Sequence, residues 1–212
     1  MTKAILFDFD GTIANTAPGI VATMKATFER MGKPIPTEEE MVQTIGIPLR
    51  LALKQLNNLS DEEAQTAVDI YCELFKVIEV AYTSLFNKVN ETLETLAGQG
   101  MRMAIVTSRN KESLDVIMTR FGIDGYFELV FTNNNNFAPK PAPDMVIHAL
   151  KEMNLTADEA IVVGDTTYDI LMGNRAGCKT IAVTYGNHSR EQIQEAEPTI
   201  IIDEFEEILR NI

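Results

Sequence analysis

The stretch Ala4-Ile5-Leu6-Phe7-Asp8-Phe9-Asp10-Gly11-Thr12 sets two carboxylates and a glycine directly after an apolar run. A run of this kind, closed by a turn residue, reads as a strand from Ala4 to Phe9 buried on both faces, so it belongs in the middle of a sheet. Two carboxylates at its end repel each other unless a cation or a proton sits between them. Outward from this strand, further apolar runs at Arg102 to Thr107, Leu129 to Thr132, Ala160 to Val163, Thr180 to Thr184 and Thr199 to Ile202 read as strands. Helical patterns fall between or after them at Asn90 to Gly98, Lys111 to Phe121, Pro143 to Met153, Tyr168 to Ala176, Arg190 to Ala196 and Glu204 to Arg210. Such alternation predicts an α/β fold, a parallel sheet with helices on both faces. Ligands bind such sheets beyond the carboxyl ends of the strands.

From Asn15 to Thr83 the alternation stops, and no strand is predicted. Three helices are expected there. Thr16 can cap the first, whose apolar residues Ile20, Met24, Phe28 and Met31 recur at helical spacing. Thr37 with Glu40 and Ser60 with Glu63 have capping-box spacing and open the other two, the last with Ala67, Tyr71, Leu74 and Ile78 on one stripe. The block reads as a helical module inserted after the first strand, joined through hinges near Gly11 to Thr16 and Val80 to Asn87. The polar run Asn133 to Asn136 reads as a solvated turn.

Four clusters follow predicted strands. Asp8-Phe9-Asp10-Gly11-Thr12 is the first. Thr107-Ser108 is the second; a hydroxyl and an N–H at a strand end can bind a phosphoryl oxygen, although alone the pair is equally a turn or a helix cap. In the third, Lys140-Pro141-Ala142-Pro143-Asp144, two prolines stiffen a loop that can hold the ammonium as a fixed point charge. The fourth is Gly164-Asp165-Thr166-Thr167-Tyr168-Asp169, whose acids, four residues apart, share one side of a starting helix where oxygen coordination of magnesium is plausible. In the insert, Gly46-Ile47-Pro48-Leu49-Arg50 can be a substrate-contacting loop in which Arg50 meets a second anionic group, or equally a helix start with an exposed Arg.

Composition narrows the partners. With 18 basic against 31 acidic residues the formal charge is -13, which argues against nucleic acid or an anionic membrane held by bulk electrostatics. Cys72 and Cys178 are far apart, give no disulfide scaffold or zinc spacing, and read as small buried hydrophobes. No window approaches a membrane span, and the early carboxylates do not suit a signal peptide, so a cytoplasmic protein is expected.

The four clusters, in order and spacing, resemble the motifs of the haloacid dehalogenase superfamily, in particular its phosphoglycolate-phosphatase-like group with a helical cap. The resemblance spans essentially the whole chain. It implies a Rossmann-like core from 1–14 and 84–212 and a cap from 15–83. It further implies a magnesium-dependent phosphatase acting on a small phosphorylated metabolite through an aspartyl phosphate. By similarity Asp8 is nucleophile and Mg²⁺ ligand, while Asp10 gives a carbonyl to the metal and acts as general acid and base. Thr107 and Ser108, with Gly11 and Thr12, contact the phosphoryl group, and Lys140 neutralises its charge. Asp165 is a direct metal ligand, and Asp169 supports it and orients Lys140. Asn15, where many relatives carry Asp, and Asn87-Lys88, where the group often has Pro-Gly, depart from the pattern.

The same core also serves a β-phosphoglucomutase-like sugar-phosphate mutase or a pyrophosphatase. A receiver-like phosphorylatable module is disfavoured by the large insert and by Asp10, and a dehalogenase has no use for the metal ligand Asp165. The family includes both monomers and homodimers.

Overall fold

The computed structural model describes residues 2–135 and 137–212. Six strands form one parallel sheet: β1 (Ala4–Phe7), β4 (Arg102–Val106), β5 (Leu129–Phe131), β6 (Ala160–Gly164), β7 (Lys179–Val183) and β8 (Ile200–Ile202). Their order is β5-β4-β1-β6-β7-β8, so the chain builds outward from β1 on one side and then returns to build outward on the other. This is the Rossmann arrangement, and its switch point lies between β1 and β6. Phe7 is level with Ile105 of β4 and with Val163 of β6. Asp8 therefore emerges at the centre of the carboxyl edge.

The alternation of side chains sorts the strands onto two cores. Ile5, Phe7, Met103, Ile105, Ile161 and Val163 face one cluster, which includes Leu93, Ile117 and Phe205. Ala4, Leu6, Ala104, Val106 and Val162 face the other, with Val146 and Leu150. The covering helices are α6 (Val89–Gly98), α7 (Lys111–Phe121), α8 (Asp144–Glu152), α9 (Thr167–Arg175) and α10 (Arg190–Glu195). The last segment, Phe205–Arg210, is a 3-10 helix rather than the expected α-helix.

Among the described residues the stretch after β1 carries five helices where three were expected. They are α1 (Ala17–Arg30), α2 (Glu38–Val42), α3 (Leu49–Asn57), α4 (Asp61–Phe75) and α5 (Glu79–Tyr82). A two-stranded antiparallel ladder, β2 (Ala14–Asn15) with β3 (Ser84–Leu85), closes the neck of this insert. Both capping boxes, Thr37 with Glu40 and Ser60 with Glu63, form. Thr16 makes no side-chain cap, because its backbone is already in the right-handed helical region (φ -98, ψ -16), and its buried hydroxyl has no partner. α4 ends at Phe75, so its buried stripe is Ala64, Ala67, Tyr71 and Phe75, and Ile78 lies outside it. Cys178 is buried but Cys72 is exposed, contrary to the expectation for a free cysteine. Asn133–Asn135 form a 3-10 turn, and Asn136 lies outside the described residues. No described helix is long and apolar enough to cross a membrane.

Candidate active site

Asp8 stands just past β1, and its N–H donates to the Val163 carbonyl at 2.8 Å, which fixes it beside the end of β6. Lys140, delivered by the Pro-stiffened loop before α8, is fully buried. Its Nζ donates to Asp8 Oδ1 at 2.5 Å and to Asp169 Oδ1 at 2.7 Å. Asp169 spends its other oxygen on the N–H and hydroxyl of Thr166, at 3.0 and 2.6 Å, within the capping box of α9. Both its oxygens are thus committed inside the protein. Asp165 accepts from Thr12 Oγ1 at 3.0 Å, from the Asn187 N–H at 2.7 Å and from Asn187 Nδ2 at 2.9 Å. The same Nδ2 reaches the Asp10 carbonyl at 3.3 Å.

The turn after β1 can close on Asp165 only because two positions lack a side chain. A Cβ on Gly11, at φ +88, would fall 2.1 Å from Asp165 Oδ2, and one on Gly186 would fall 2.2 Å from the Asp165 Cβ. The Gly11 N–H is itself donated to the Ala14 carbonyl at 2.8 Å. Gly11 and Thr12 therefore shape and orient the acidic cluster in this arrangement.

Asp8, Asp165 and Asp169 are buried, and each presents a carboxylate oxygen within 4.8 Å of the others. Against three acids stands one ammonium. Burial pushes the Asp8 carboxyl well up from its ordinary value, with Lys140 pulling it back and Asp169 adding to the rise. Burial likewise pushes Asp165 up to about 7, again with Asp169 adding. For Lys140 burial works against the charge, but Asp169 and Asp8 outweigh it and hold the ammonium protonated. An excess of buried carboxylate is the condition that a hard divalent cation relieves. The donor chemistry fits such an ion: Asp8 Oδ2 accepts no hydrogen bond among the described residues, and Asp165 and the Asp10 carbonyl are drawn together by Asn187.

A second buried network runs from the core into the insert. Arg109, next to Thr107-Ser108, holds the Asp10 carboxylate with Nε 3.0 Å from both oxygens and Nη2 2.5 Å from Oδ1. The same guanidinium pairs with Glu79 Oε1 of α5 at 2.6 Å, and Glu79 Oε2 accepts the Tyr71 hydroxyl of α4 at 2.5 Å. Burial raises the Glu79 carboxyl, with the charge of Arg109 opposing it. Burial also disfavours the Arg109 charge, but Asp10 and Glu79 more than offset that and keep it cationic.

Thr107 Oγ1 accepts the Arg109 N–H at 3.2 Å, and Ser108 Oγ donates to the Gly46 carbonyl of the insert at 2.7 Å. Arg50 sits in α3 at the rim of the cavity above Asp8, bonded to the Asp61 carboxylate at 3.1 Å and the Asp61 carbonyl at 3.2 Å. Reasoning from sequence missed Arg109, Glu79 and Asn187. Arg109 and Asn187 carry a signal, since both lie in loops that follow strands of the sheet. Glu79 is marked only as the one acid within Val77-Ile78-Glu79-Val80-Ala81.

Residues 5–183 match the model of the haloacid dehalogenase-like hydrolase family. The chain belongs to that family. It is 35% identical over 213 residues to the probable phosphatase IndB of Dickeya dadantii, covering 99% of this chain and 93% of that protein. It is 32% identical to the putative pyrophosphatase PpaX of Clostridium perfringens, over 99% of this chain and 96% of that one. The crystal structure of a predicted phosphoglycolate phosphatase from Haemophilus somnus superposes with TM-score 0.89 at 25% identity, covering 99% of this chain and 97% of that chain.

Proposed function

We propose that this hydrolase is a magnesium-dependent phosphatase that removes a phosphoryl group from a small phosphate monoester through an aspartyl phosphate on Asp8. The observation that carries the reading is the Lys140 ammonium shared by Asp8 and Asp169, with Asp8 on the floor of the cavity and Asp165 beside it. One oxygen of Asp8 attacks phosphorus while the Lys140 ammonium neutralises the charge that nucleophile and phosphate share. As that bond forms, the ester P–O bond breaks, and the departing oxygen takes a proton from Asp10, which must enter this half protonated. In the second half, Asp10 takes a proton from the water that attacks phosphorus and frees the Asp8 carboxylate. Dividing hydrolysis in this way replaces one difficult displacement with two easier ones. Asp8, Asp165 and the Asp10 carbonyl would hold Mg²⁺, which would supply charge neutralisation for the equatorial oxygens. Thr107 and the Ser108 N–H border the same space and would receive those oxygens, while Arg109 fixes the Asp10 carboxyl.

Residues 15–83 act as the cap over a core of 1–14 and 84–212. Support comes from the β2–β3 neck and from two contacts across the cavity, Ser108 to Gly46 and Arg109 to Glu79. Two unpaired cysteines suit a reducing cytoplasm. The test is hydrolysis of a panel of phosphate monoesters with Mg²⁺ and with a chelator. Turnover should require the metal and fall by at least ~10⁴-fold in Asp8→Asn, the scale on which loss of a covalent nucleophile is felt. Retained turnover in purified, folded Asp8→Asn would overturn the reading.

A further inference from the structure

We infer that the leaving group of the substrate is a neutral and largely apolar alcohol, not one carrying a carboxylate or a second phosphate. This rests on the phosphatase reading above and concerns the space beyond the phosphoryl position. A cavity of about 290 Å³ opens over Asp8 and Asp10, near the lower end of small-molecule sites. Its floor is polar, with Thr107, Ser108 and Asn110 beside the two acids, and its roof is Ile20, Met24, Ile45, Ile47, Leu49 and Val68 from the insert. Leu49 and Val68 are only partly buried and offer apolar surface for a ligand to cover. Such surface gains roughly 25 cal/mol for each Å² covered.

Every cation that a second anion could meet there already faces a carboxylate. The basic residues lining the cavity are Arg50 and Arg109. Arg109 is spent between Asp10 and Glu79, and Arg50 is held at the rim by Asp61. All six Lys and Arg of the insert, Lys25, Arg30, Lys33, Arg50, Lys54 and Lys76, are paired with carboxylates. A charged leaving group would instead lie against apolar side chains above two acids, giving up its hydration without compensation. Toward a sugar the hydroxyls of Thr44, Ser108 and Tyr71 can only accept, because they already donate to Met41, Gly46 and Glu79. The roof therefore recognises an apolar body, and the floor recognises the phosphate.

The test compares benzyl phosphate with 4-carboxybenzyl phosphate, which share a leaving oxygen and differ by one carboxylate, alongside phosphoglycolate and pyrophosphate. With Mg²⁺ present, benzyl phosphate should have a kcat/KM at least about a hundred-fold above each of the other three. Val68→Lys, which places a cation on the partly buried part of the roof, should narrow the benzyl to carboxybenzyl ratio by at least about tenfold. Arg50→Ala should leave that ratio unchanged. Equal or better turnover of the carboxylated compound, phosphoglycolate or pyrophosphate would overturn the inference while leaving the phosphatase reading intact. So would a selective loss of the anionic substrates in Arg50→Ala. Failure to hydrolyse all four overturns the phosphatase reading and this inference together.

Discussion

At the carboxyl edge of the sheet the side chains of Lys140, Asp8 and Asp169 are at most 4% exposed, and each ion holds another in place. Across the cavity, the ion pairs made by the insert's lysines and arginines have side chains at least 32% exposed, and its one buried charge, Glu79, is turned to Arg109 of the core. Exposed pairs contribute about 0–1 kcal/mol each, whereas breaking a buried one costs about 3–5 kcal/mol. The floor is thus tied to one geometry by its charges. The roof is held mainly by packing, and its inner surface can change without disturbing the chemistry below.

Lys140→Met should break the floor most severely. It leaves Asp8 and Asp169 facing each other without their cation, so kcat should fall by roughly 10³-fold. In calorimetry the metal-free variant should lose about 3–5 kcal/mol, less when Mg²⁺ is present. A similar loss is expected from Arg109→Ala, which strands Asp10 and Glu79 together between the two regions. In Arg109→Ala/Glu79→Gln the losses should fall short of additivity by about 0.5–3 kcal/mol, and additive losses would mean that Arg109 and Glu79 are uncoupled.

Metal binding sharpens the contrast through pH. The raised pKa of Asp165, about 7, means that the metal-free folded state holds a proton that the unfolded state has released between about pH 4 and 7. That contribution to stability is present at the low end of the window and is lost as pH rises through it. Mg²⁺ bound at the proposed site would compete for the same carboxylate, so the rise in Tm that it produces should be larger near pH 8 than near pH 5. An equal rise at both would remove Asp165 from the metal site. The smallest effect belongs to Lys88, at φ 62 in the left-handed region at the start of α6. Lys88→Gly should stabilise the protein by about 0.5–1 kcal/mol, read as a Tm increase of roughly 1–3 °C.

The sheet and the floor were legible because their patterns are local. An apolar run ending in Asp8 announces a buried strand and a charged edge, and Gly164 to Asp169 announces a strand, a cap and an acid pair. Six strands and the crossovers between them follow from such runs, while the segment after the last strand is a 3-10 helix rather than an α-helix. The insert was less legible. Thr16 has the residue type of a cap without its backbone geometry, and α3 buries only Ala52 and Leu53, too few to set a periodicity. Arg109 and Glu79 acquire their meaning from each other across 30 positions of chain. No spacing within either segment reveals that pairing.

The central claim is that Asp8 becomes esterified, and acid quenching during turnover tests it most directly. With radiolabelled benzyl phosphate and Mg²⁺, label should appear on the peptide that contains Asp8, be lost on treatment with hydroxylamine, and be absent from Asp8→Asn. Steady hydrolysis with no label on that peptide, or label on a different side chain, would contradict the account.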